Sequence, residues 1–459
     1  MMTGNRRSGF LRAAAVCLAL SLLALPLSQL RASALAPDAP GRIMLSFAGD
    51  GALALTWVDA EGVGDGRVRY GLSPDLSDAR EAKALPAPGS SAIEAGGSRF
   101  TAELAGLAPG ATYYYSVGGA GGWSATQSFM AADTGAADFS FLYFGDIQVT
   151  EGAESDFAAW GALAGGAYAR NPGAAFALQG GDIVESGIDT GQWDAFLDSA
   201  TPVFSRIPFM PTNGNHESNF PSGKPELYLD VFSLPRNGPE GFEEEFYSFD
   251  YGDAHFTVLN SWVFSGEQRL DEDDLEAIDA WVERDLSSSA ATWKIAVTHL
   301  PLYAVHSDAV ADATRAHWAP LFERHGVALA LVGHQHVYSR LKPLSGGAVD
   351  FERGVTYIMG NSGRKFYDSA DERLAERMIY GVSTYQSIRI DGNMLTVQTF
   401  DGEGRELDLA AISPRADEAP AVSDWTLGVM ARNHRDSDRR GQRDRAGQRP
   451  RIVPKRASS

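Results

Sequence analysis

Two histidine residues follow a short apolar run in the last third of the chain. The run ends at Gly333, and His334 and His336 come directly after it. In extended backbone, residues two apart point to the same side, so both imidazole rings can reach one place. Imidazole is a frequent ligand of transition metals. Such pairs are also common among ordinary surface or core histidines, so this one indicates a metal site only if other ligands join it.

Four apolar runs upstream end in the same way. Each is short enough for a buried strand, and a residue with an oxygen or nitrogen ligand follows within a few positions. We expect the ends of these strands to meet at one rim of a sheet and to form a binuclear metal site. The residues concerned are Asp146 after Phe139–Phe144, Asp182 after Ala174–Leu178, Asn215 after Phe209–Thr212, and His299 after Ile295–Val297.

A pair of metal ions needs a ligand that both can share. A carboxylate suits this position because its two oxygens can span ions about 3.5–4 Å apart, and Asp182 is the candidate. Two divalent ions lower the pKa of a bound water molecule and neutralise charge on a phosphoryl group. We expect Asp182 to lie between one ion bound by Asp146 and His336 and another bound by Asn215, His299 and His334.

His216 directly follows the candidate ligand Asn215. It therefore lies at the edge of the metal site without being needed as a ligand. An imidazole in that place suits a general acid or a donor to a phosphoryl oxygen. We expect the adjacent Glu217 to orient it.

The N-terminus has the pattern of a secretory signal peptide. Three arginines precede an apolar stretch from Ala13 to about Leu30, and small residues around Ala32–Ala36 suit a cleavage site. We therefore predict a signal peptide over residues 1–36 and a secreted or periplasmic protein. A membrane anchor is the alternative, but the stretch is short and Pro26 interrupts it. The single cysteine, Cys17, falls within this segment, so the exported chain would have no disulfide.

The chain is acidic, with a formal net charge of −20 at pH 7. Such a protein is a poor generic binder of nucleic acid, and we expect no specific nucleic-acid partner. The C-terminal segment 430–459 is different, because it carries nine arginines and one lysine against three aspartates. It has few apolar residues, so we predict a disordered basic tail that touches anionic surfaces. After signal cleavage we expect no stable membrane span.

With 459 residues, the chain is long enough for two domains. Residues 41–132 alternate between apolar and polar types in short runs separated by turns rich in Gly and Pro, which predicts an all-β sandwich. Residues 138–414 mix strand and helix patterns, which predicts an α/β domain. Helices are expected around Phe157–Ala164, Leu275–Leu286 and Trp318–Phe322, and late strands at Val355–Met359, Tyr385–Ile390 and Met394–Phe400.

The five ligand-bearing motifs resemble those of the calcineurin-like metallophosphoesterases. The closer resemblance is to the purple acid phosphatase branch, because Tyr247–Phe256, Val68–Gly71 and Leu107–Tyr115 also look like segments of those enzymes. It implies a fibronectin-III-like sandwich at 41–132 and, at 138–414, a metallophosphoesterase β-sandwich flanked by helices. The motifs are Gly145-Asp146, Gly181-Asp182, Gly214-Asn215-His216-Glu217, Val297-Thr298-His299 and Gly333-His334-Gln335-His336.

Two positions depart from the pattern of that family. The purple acid phosphatase branch has a metal-binding tyrosine three residues after the bridging aspartate, where this chain has Glu185. The wider family often has a histidine two residues after the first aspartate, where this chain has Gln148. We expect Gln148 to be a neutral, weaker ligand and Glu185 to be a ligand or the support of one. The resemblance implies two divalent ions, with manganese, zinc and iron left open.

The resemblance also implies a substrate-binding histidine in the loop after His299. His306 lies in that loop, with a plain exposed histidine as the alternative. Asn361 and Arg364 follow a predicted strand and are candidates to line the cleft, where Arg364 would hold a substrate anion. An ordinary turn is the alternative for both.

We expect an exported enzyme that hydrolyses phosphate monoesters of small molecules through a hydroxide activated by two metals. His216, Glu217 and His306 are its candidate catalytic residues. Phosphodiester hydrolysis is the alternative, because the motifs do not distinguish a phosphate with one organic substituent from a phosphate with two. A non-catalytic protein that binds metal or phosphate is a further alternative, which Gln148 and Glu185 favour and the intact Asn215-His216 pair opposes.

Overall fold

A computed structural model describes residues 40–49, 51–59, 65–86, 97–148, 155–218, 222–267 and 270–415. The predicted signal peptide at 1–36 and the predicted basic tail at 430–459 lie outside the described residues. No helix in the described part of the chain is long and apolar enough to cross a membrane.

The N-terminal region folds into two antiparallel sheets. One sheet has the strand order β1-β2-β6-β5, and the other has the order β4-β3-β7-β8 with β9 also paired to β7. The strands are β1 Gly41–Gly49, β2 Ala52–Asp59, β3 Arg67–Gly71, β4 Arg80–Lys83, β5 Leu85–Pro86, β6 Ser98–Leu104, β7 Thr112–Gly119, β8 Gly122–Trp123 and β9 Gln127–Met130. This is the all-β arrangement that the alternating pattern predicts.

Strand β1 is buried on both faces, although its pattern predicts burial of only one. Residues 43–47 are all buried. The Ser46 hydroxyl donates a hydrogen bond to the Ser233 carbonyl at 2.5 Å, and the Phe47 amide approaches the Met210 sulfur at 3.2 Å. The second face of β1 therefore packs on the larger domain.

The larger domain is built on a six-stranded and a seven-stranded sheet. The six-stranded sheet has the order β12-β11-β10-β22-β23-β24, and the seven-stranded sheet has the order β13-β14-β15-β16-β20-β17-β21. The strands up to β16 are β10 Asp138–Phe144, β11 Ala174–Gln179, β12 Phe209–Pro211, β13 Tyr247–Tyr251, β14 Ala254–Leu259, β15 Trp293–Thr298 and β16 Val327–Val332. The later strands are β17 Tyr338–Leu341, β18 Leu344–Ser345, β19 Ala348–Val349, β20 Thr356–Met359, β21 Ala375–Ile379, β22 Thr384–Asp391, β23 Met394–Asp401 and β24 Glu406–Ile412.

Parallel pairing brings the carboxyl ends of the ligand-bearing strands to common edges. Strands β10, β11 and β12 run parallel in one sheet, and β14, β15, β16 and β20 run parallel in the other. The two sheets pack through aromatic rings, with Phe141 and Phe176 at 5.3 and 5.2 Å from Phe256. The Tyr143 hydroxyl also donates to the Val332 carbonyl at 2.7 Å, which joins the ends of β10 and β16.

Among the described residues, the α-helices are the three predicted ones and two others, and a 3-10 helix lies at Ser261–Ser265. The helices are α1 Ser155–Arg170, α2 Thr190–Phe204, α3 Glu226–Val231, α4 Glu272–Ser288 and α5 Ala309–Arg324. Sequence analysis missed α2 and α3. Helix α2 begins at an Asp189 side chain that accepts from the amides of Gly191 and Gln192, and it buries Trp193, Phe196 and Leu197. Its capping residue and apolar spacing were therefore readable signals.

Candidate metal centre

Each candidate ligand lies just beyond the end of a parallel strand. Asp146 follows β10, Asp182 follows β11, Asn215 follows β12, His299 follows β15, and His334 and His336 follow β16. Three of them have left-handed backbone, with φ of 54° at Asp182, 76° at His334 and 42° at His336. Such strain in residues other than glycine is typical of functional sites. Here it turns the side chains inward at the strand ends.

Four side chains converge on one point. The Nε2 atom of His299 lies 3.2 Å from Asp182 Oδ2, 3.1 Å from Asn215 Oδ1 and 3.1 Å from His334 Nδ1. His334 Nδ1 is also 3.1 Å from Asn215 Oδ1. Two imidazole nitrogens, an amide oxygen and a carboxylate oxygen at these separations fit the ligand set of a divalent transition metal.

Hydrogen bonds outside this group orient its two imidazoles. His299 Nδ1 donates to the Gly180 carbonyl at 2.9 Å, so its Nε2 is left to face the site. His334 Nε2 lies 2.9 Å from Asp308 Oδ2, so the Nδ1 atom of His334 is left to face the site. Partners of this kind fix the tautomer and the ring orientation of a metal ligand. Sequence analysis missed Asp308, whose contact with His334 depends on the packing of α5.

A second group of ligand atoms surrounds Asp146. His336 Nε2 is 3.6 Å from Asp146 Oδ2. His336 Nδ1 and Gln148 Oε1 are buried and have no hydrogen-bond partner among the described residues. Buried polar atoms are normally paired, so these two are available to a cation. The Gln148 amide nitrogen donates to Glu185 Oε2 at 3.1 Å, so Glu185 supports the residue that sequence analysis names as a weak ligand.

The carboxylates and histidines of the site shift one another's pKa values. Burial raises the pKa of Asp146 to about 7, with the His299 charge opposing and the Asp182 charge adding to this shift. Burial also acts to raise the pKa of Asp182, but the charges of His299 and His216 outweigh it and hold that pKa far below its usual value. Burial acts to lower the pKa of His299, but Asp182 overcomes this and raises it to about 10. The low pKa of Asp182 and the raised pKa of His299 both mean that the centre favours a negative carboxylate beside a positive group, so it also attracts cations.

Glycines beside the ligands leave room for them. A Cβ atom on Gly333 would overlap Asp146 Oδ1, and one on Gly214 would overlap Asp182 Oδ1. In both cases the overlapping atom belongs to a candidate ligand, so relief of the overlap would displace that ligand. These two positions therefore require the absence of a side chain.

His216 lies beside the bridge candidate, as its place in the sequence predicts. Its Nδ1 donates to the Glu185 carbonyl at 2.6 Å, and its Nε2 is 3.9 Å from Asp182 Oδ2. The side chain is 22% exposed. Burial opposes a charge on this ring, but Asp182 and Glu185 outweigh it and raise the pKa of His216. A histidine with a raised pKa, Nε2 towards the site and access to solvent is suited to donate a proton.

Glu217 does not contact His216 through its carboxylate, so the prediction that it orients His216 was wrong. Its oxygens accept four backbone hydrogen bonds, from Asp182, Ile183, Val184 and Gly214, at 2.7–3.1 Å. The side chain is fully buried. Glu217 therefore ties the loop of Asp182 to the loop of Asn215, and it acts on the metal centre through backbone position.

His306 is held near the centre by Gln335. Gln335 accepts from the amide of His306 at 3.0 Å and donates to its carbonyl at 3.0 Å. The His306 ring is 5.1 Å from the Tyr367 ring, which lies at the same distance from His336. His306 Nε2 is buried with no partner in the described residues. Tyr367 thus connects His306 to a candidate ligand.

Asn361 and Arg364 have different surroundings. The Asn361 side chain is buried and donates to the carbonyls of Lys365 and His336 at 2.9 and 3.4 Å, so it shapes the loop. The Arg364 guanidinium is 59% exposed and lies 3.3 Å from Asp156 in the first turn of α1. The neighbouring Lys365, which sequence analysis missed, lies 3.8 Å from Glu185 Oε2.

Comparisons with known proteins show which families the two domains resemble. Residues 139–338 match the calcineurin-like phosphoesterase family, and residues 40–131 match the N-terminal domain of purple acid phosphatases. Purple acid phosphatase 18 of Arabidopsis thaliana is 24% identical over 350 residues, or 72% of this chain and 75% of the relative. Human acid phosphatase type 7 is 27% identical over 343 residues, or 67% of this chain and 72% of the relative.

A solved structure has the same fold. It is a purple acid phosphatase from yellow lupin (Lupinus luteus) seeds, with a TM-score of 0.67 and 18% identity, and the match covers 84% of this chain and 78% of the other. The protein is a metallophosphoesterase, a hydrolase of phosphoric esters. Within that class it is similar to the purple acid phosphatases, whose N-terminal domain it carries.

Proposed function

We propose that this chain is an exported phosphatase that hydrolyses phosphate monoesters with the help of two divalent cations. Convergence of Asp182, Asn215, His299 and His334 carries the proposal, because His299 Nε2 lies 3.1–3.2 Å from a ligand atom of each of the other three. Export is proposed from the N-terminal pattern, and contact of the basic tail with anionic surfaces from its composition.

The candidate ligands divide into two groups around Asp182. Asn215, His299 and His334 would hold one cation, and Asp146, Gln148 and His336 would hold the other, with Asp182 shared. Manganese, zinc and iron all suit this mixture of carboxylate, amide and imidazole ligands. When bound, two such cations lower the pKa of a water molecule and neutralise the charge that develops on a phosphoryl group.

The residues around these ligands supply proton transfer and position. His216 donates a proton from Nε2 to the leaving oxygen, while its Nδ1 stays bonded to the Glu185 carbonyl. That bond selects the tautomer and holds the ring beside Asp182. The buried Nε2 atom of His306 has no hydrogen-bond partner among the described residues, and in this proposal it contacts a phosphoryl oxygen when the substrate binds. Glu217 holds the two loops together through the four hydrogen bonds that its carboxylate accepts from backbone amides.

The test measures metal content and turnover on the same samples. The mature chain is stripped of metal, reloaded with manganese, zinc or ferrous iron, and analysed by plasma emission spectroscopy. Hydrolysis of 4-nitrophenyl phosphate and of bis(4-nitrophenyl) phosphate is then followed for each metal. We expect two metals per chain and faster turnover of the monoester.

Two variants control this experiment. His299→Ala removes a candidate ligand and should lose metal and activity together. His317→Gln alters a histidine that pairs with Asp279 on helix α4 and should leave both unchanged. Faster turnover of the diester would favour the phosphodiesterase alternative. Metal binding without any turnover would favour the non-catalytic alternative.

A further inference from the structure

The segment 361–367 is attached to two of the candidate ligand loops. The amides of Ser362 and Gly363 donate to the Asp146 carbonyl at 2.9 and 2.6 Å, and the Tyr367 amide donates to the His336 carbonyl at 3.2 Å. Because hydrogen bonds fix both ends at ligand residues, residues 364–366 have little freedom to leave the rim of the site. Of these three, Lys365 carries an ammonium group close to the centre.

The Lys365 ammonium lies among the polar groups of the rim. Its Nζ is 3.8 Å from Glu185 Oε2, an oxygen that also accepts from Gln148 Nε2 at 3.1 Å. The other Glu185 oxygen is 4.0 Å from His216 Nδ1. The ammonium thus lies beside a carboxylate whose two oxygens face Gln148 and His216.

Within the part of the chain that the structure describes, this ammonium keeps donors for a ligand. A separation of 3.8 Å from Glu185 exceeds hydrogen-bond length, so the ion pair leaves the three N–H donors available. The side chain is 35% exposed, so a ligand in solvent can reach it. The neighbouring Arg364 differs, because its guanidinium lies 3.3 Å from Asp156 on helix α1.

We propose that Lys365 binds a terminal oxygen of the substrate phosphoryl group and thereby selects monoesters over diesters. A monoester dianion has three terminal oxygens, whereas a diester monoanion has two and carries an organic group on the third. Lys365 supplies a positive charge for the third oxygen of a monoester. In a diester that oxygen carries an organic group, so Lys365 meets no anionic oxygen of the substrate there. The inference rests on the proposed function, and it names a residue that selects the substrate class of that site.

The test compares two esters that share a leaving group. For the metal-loaded mature enzyme, kcat/KM is measured with 4-nitrophenyl phosphate and with methyl 4-nitrophenyl phosphate. Lys365→Met should lower the value for the monoester about 30-fold, as expected for a lost charge-assisted hydrogen bond. For the diester, the change should stay below about threefold, as expected for a charge without a direct partner.

Three further measurements make the result specific. Lys365→Arg keeps the charge and should retain monoester turnover within about fivefold, since guanidinium also binds phosphate. Lys342→Met removes a lysine that has no contact with the site residues and should change neither rate. Metal content and circular dichroism should be the same in all variants. An equal fall for both esters, or no fall for either, would overturn the inference.

A second readout separates this inference from the proposed function. If the wild-type chain hydrolyses neither ester with any metal, the proposed function has failed. Binding of inorganic phosphate to the metal-loaded chain, measured by calorimetry, then tests Lys365 alone. Weaker binding by Lys365→Met than by Lys342→Met, by about tenfold, supports its role as a phosphate ligand. Equal binding, or no binding by the wild type, overturns it.

Discussion

One oxygen of the Asp308 carboxylate lies 2.9 Å from His334 Nε2, while the other caps helix α5. The capping oxygen accepts hydrogen bonds from the amides of Val310 and Ala311 at 2.8 and 3.0 Å. The second nitrogen of His334 faces His299 and Asn215. A single aspartate therefore joins the beginning of a helix to a candidate metal ligand.

Asp308 variants separate its two roles. Asp308→Ser keeps an N-cap but is too short to reach His334, so affinity for the cation near His334 should fall about 10–100-fold. The free energy of unfolding of this variant should change by less than about 1 kcal/mol. Asp308→Ala loses both contacts and should be about 1 kcal/mol less stable than the serine variant. Chelator competition and urea unfolding measure the two effects, and unchanged metal affinity in Asp308→Ser would remove Asp308 from the support of His334.

Gly333→Ala should displace the Asp146 side chain and press on the neighbouring Gly180 carbonyl. The new methyl group would overlap Asp146 Oδ1, so the cation near Asp146 and His336 should be lost first. Gly165→Ala is the matched control, because its Cβ meets nothing within 4 Å and it lies within helix α1. Metal analysis should give one ion for the first variant and two for the second. Two retained ions in Gly333→Ala would contradict the placement of Asp146 as a ligand.

His216→Ala should lower kcat about 10²–10⁴-fold, the usual contribution of a general acid. Its metal content should stay at the wild-type value, because His216 donates to the Glu185 carbonyl and is not needed as a ligand. Steady-state kinetics and metal analysis on one preparation check both statements. Normal turnover in this variant would exclude His216 from the mechanism.

Glu217→Gln should destabilise the protein, although it replaces only one carboxylate oxygen by an amide nitrogen. The two oxygens of Glu217 each accept from two backbone amides, and a glutamine presents a donor to one of these pairs. We expect a loss of about 3 kcal/mol in the free energy of unfolding, because buried donors lose a charged partner. Glu243→Gln is the control, since Glu243 is exposed and accepts from the Gly241 amide at 3.0 Å. Equal stability of the two variants would show that the amide bonds of Glu217 contribute little.

His255 should make stability depend on pH above neutrality. Burial acts to lower its pKa, but hydrogen bonds to Asp250 and Asp285, at 2.7 and 2.9 Å, outweigh this and raise the pKa to about 9. A raised pKa means that the folded chain holds the proton more tightly than the unfolded chain. The resulting stabilisation is complete below the unfolded pKa of about 6.5 and is lost as the pH rises through about 9.

Urea unfolding between pH 6 and pH 10 measures this effect. The wild type should lose up to about 3 kcal/mol more than His255→Gln over that interval, given 1.36 kcal/mol for each unit of pKa. The comparison with His255→Gln cancels the titration of other groups. Parallel pH curves for the two proteins would contradict a protonated His255.

The sequence alone was sufficient for the parts of the protein that depend on local pattern. Short apolar runs are followed by Asp146, Asp182, Asn215, His299 and His334. Such runs form buried strands, and the residue that follows a strand in the sequence must lie at the end of that strand. The sequence therefore specifies both the strands and the order of the ligands. Strands β22 and β23 and helices α1, α4 and α5 follow from the period of their apolar residues in the same way. The family resemblance rests on those same local motifs.

The tertiary structure decided which charged side chain meets which group. Arg364 and Lys365 are adjacent in sequence, yet one lies by Asp156 and the other by Glu185. Asp308 reaches His334 across 26 positions, and Glu217 reaches the amide of Asp182 across 35. Such contacts follow from the packing of whole sheets and helices, and a side chain's direction depends on that packing. Residue type and spacing therefore identify the ligands, whereas the residues that orient them become visible only in the folded chain.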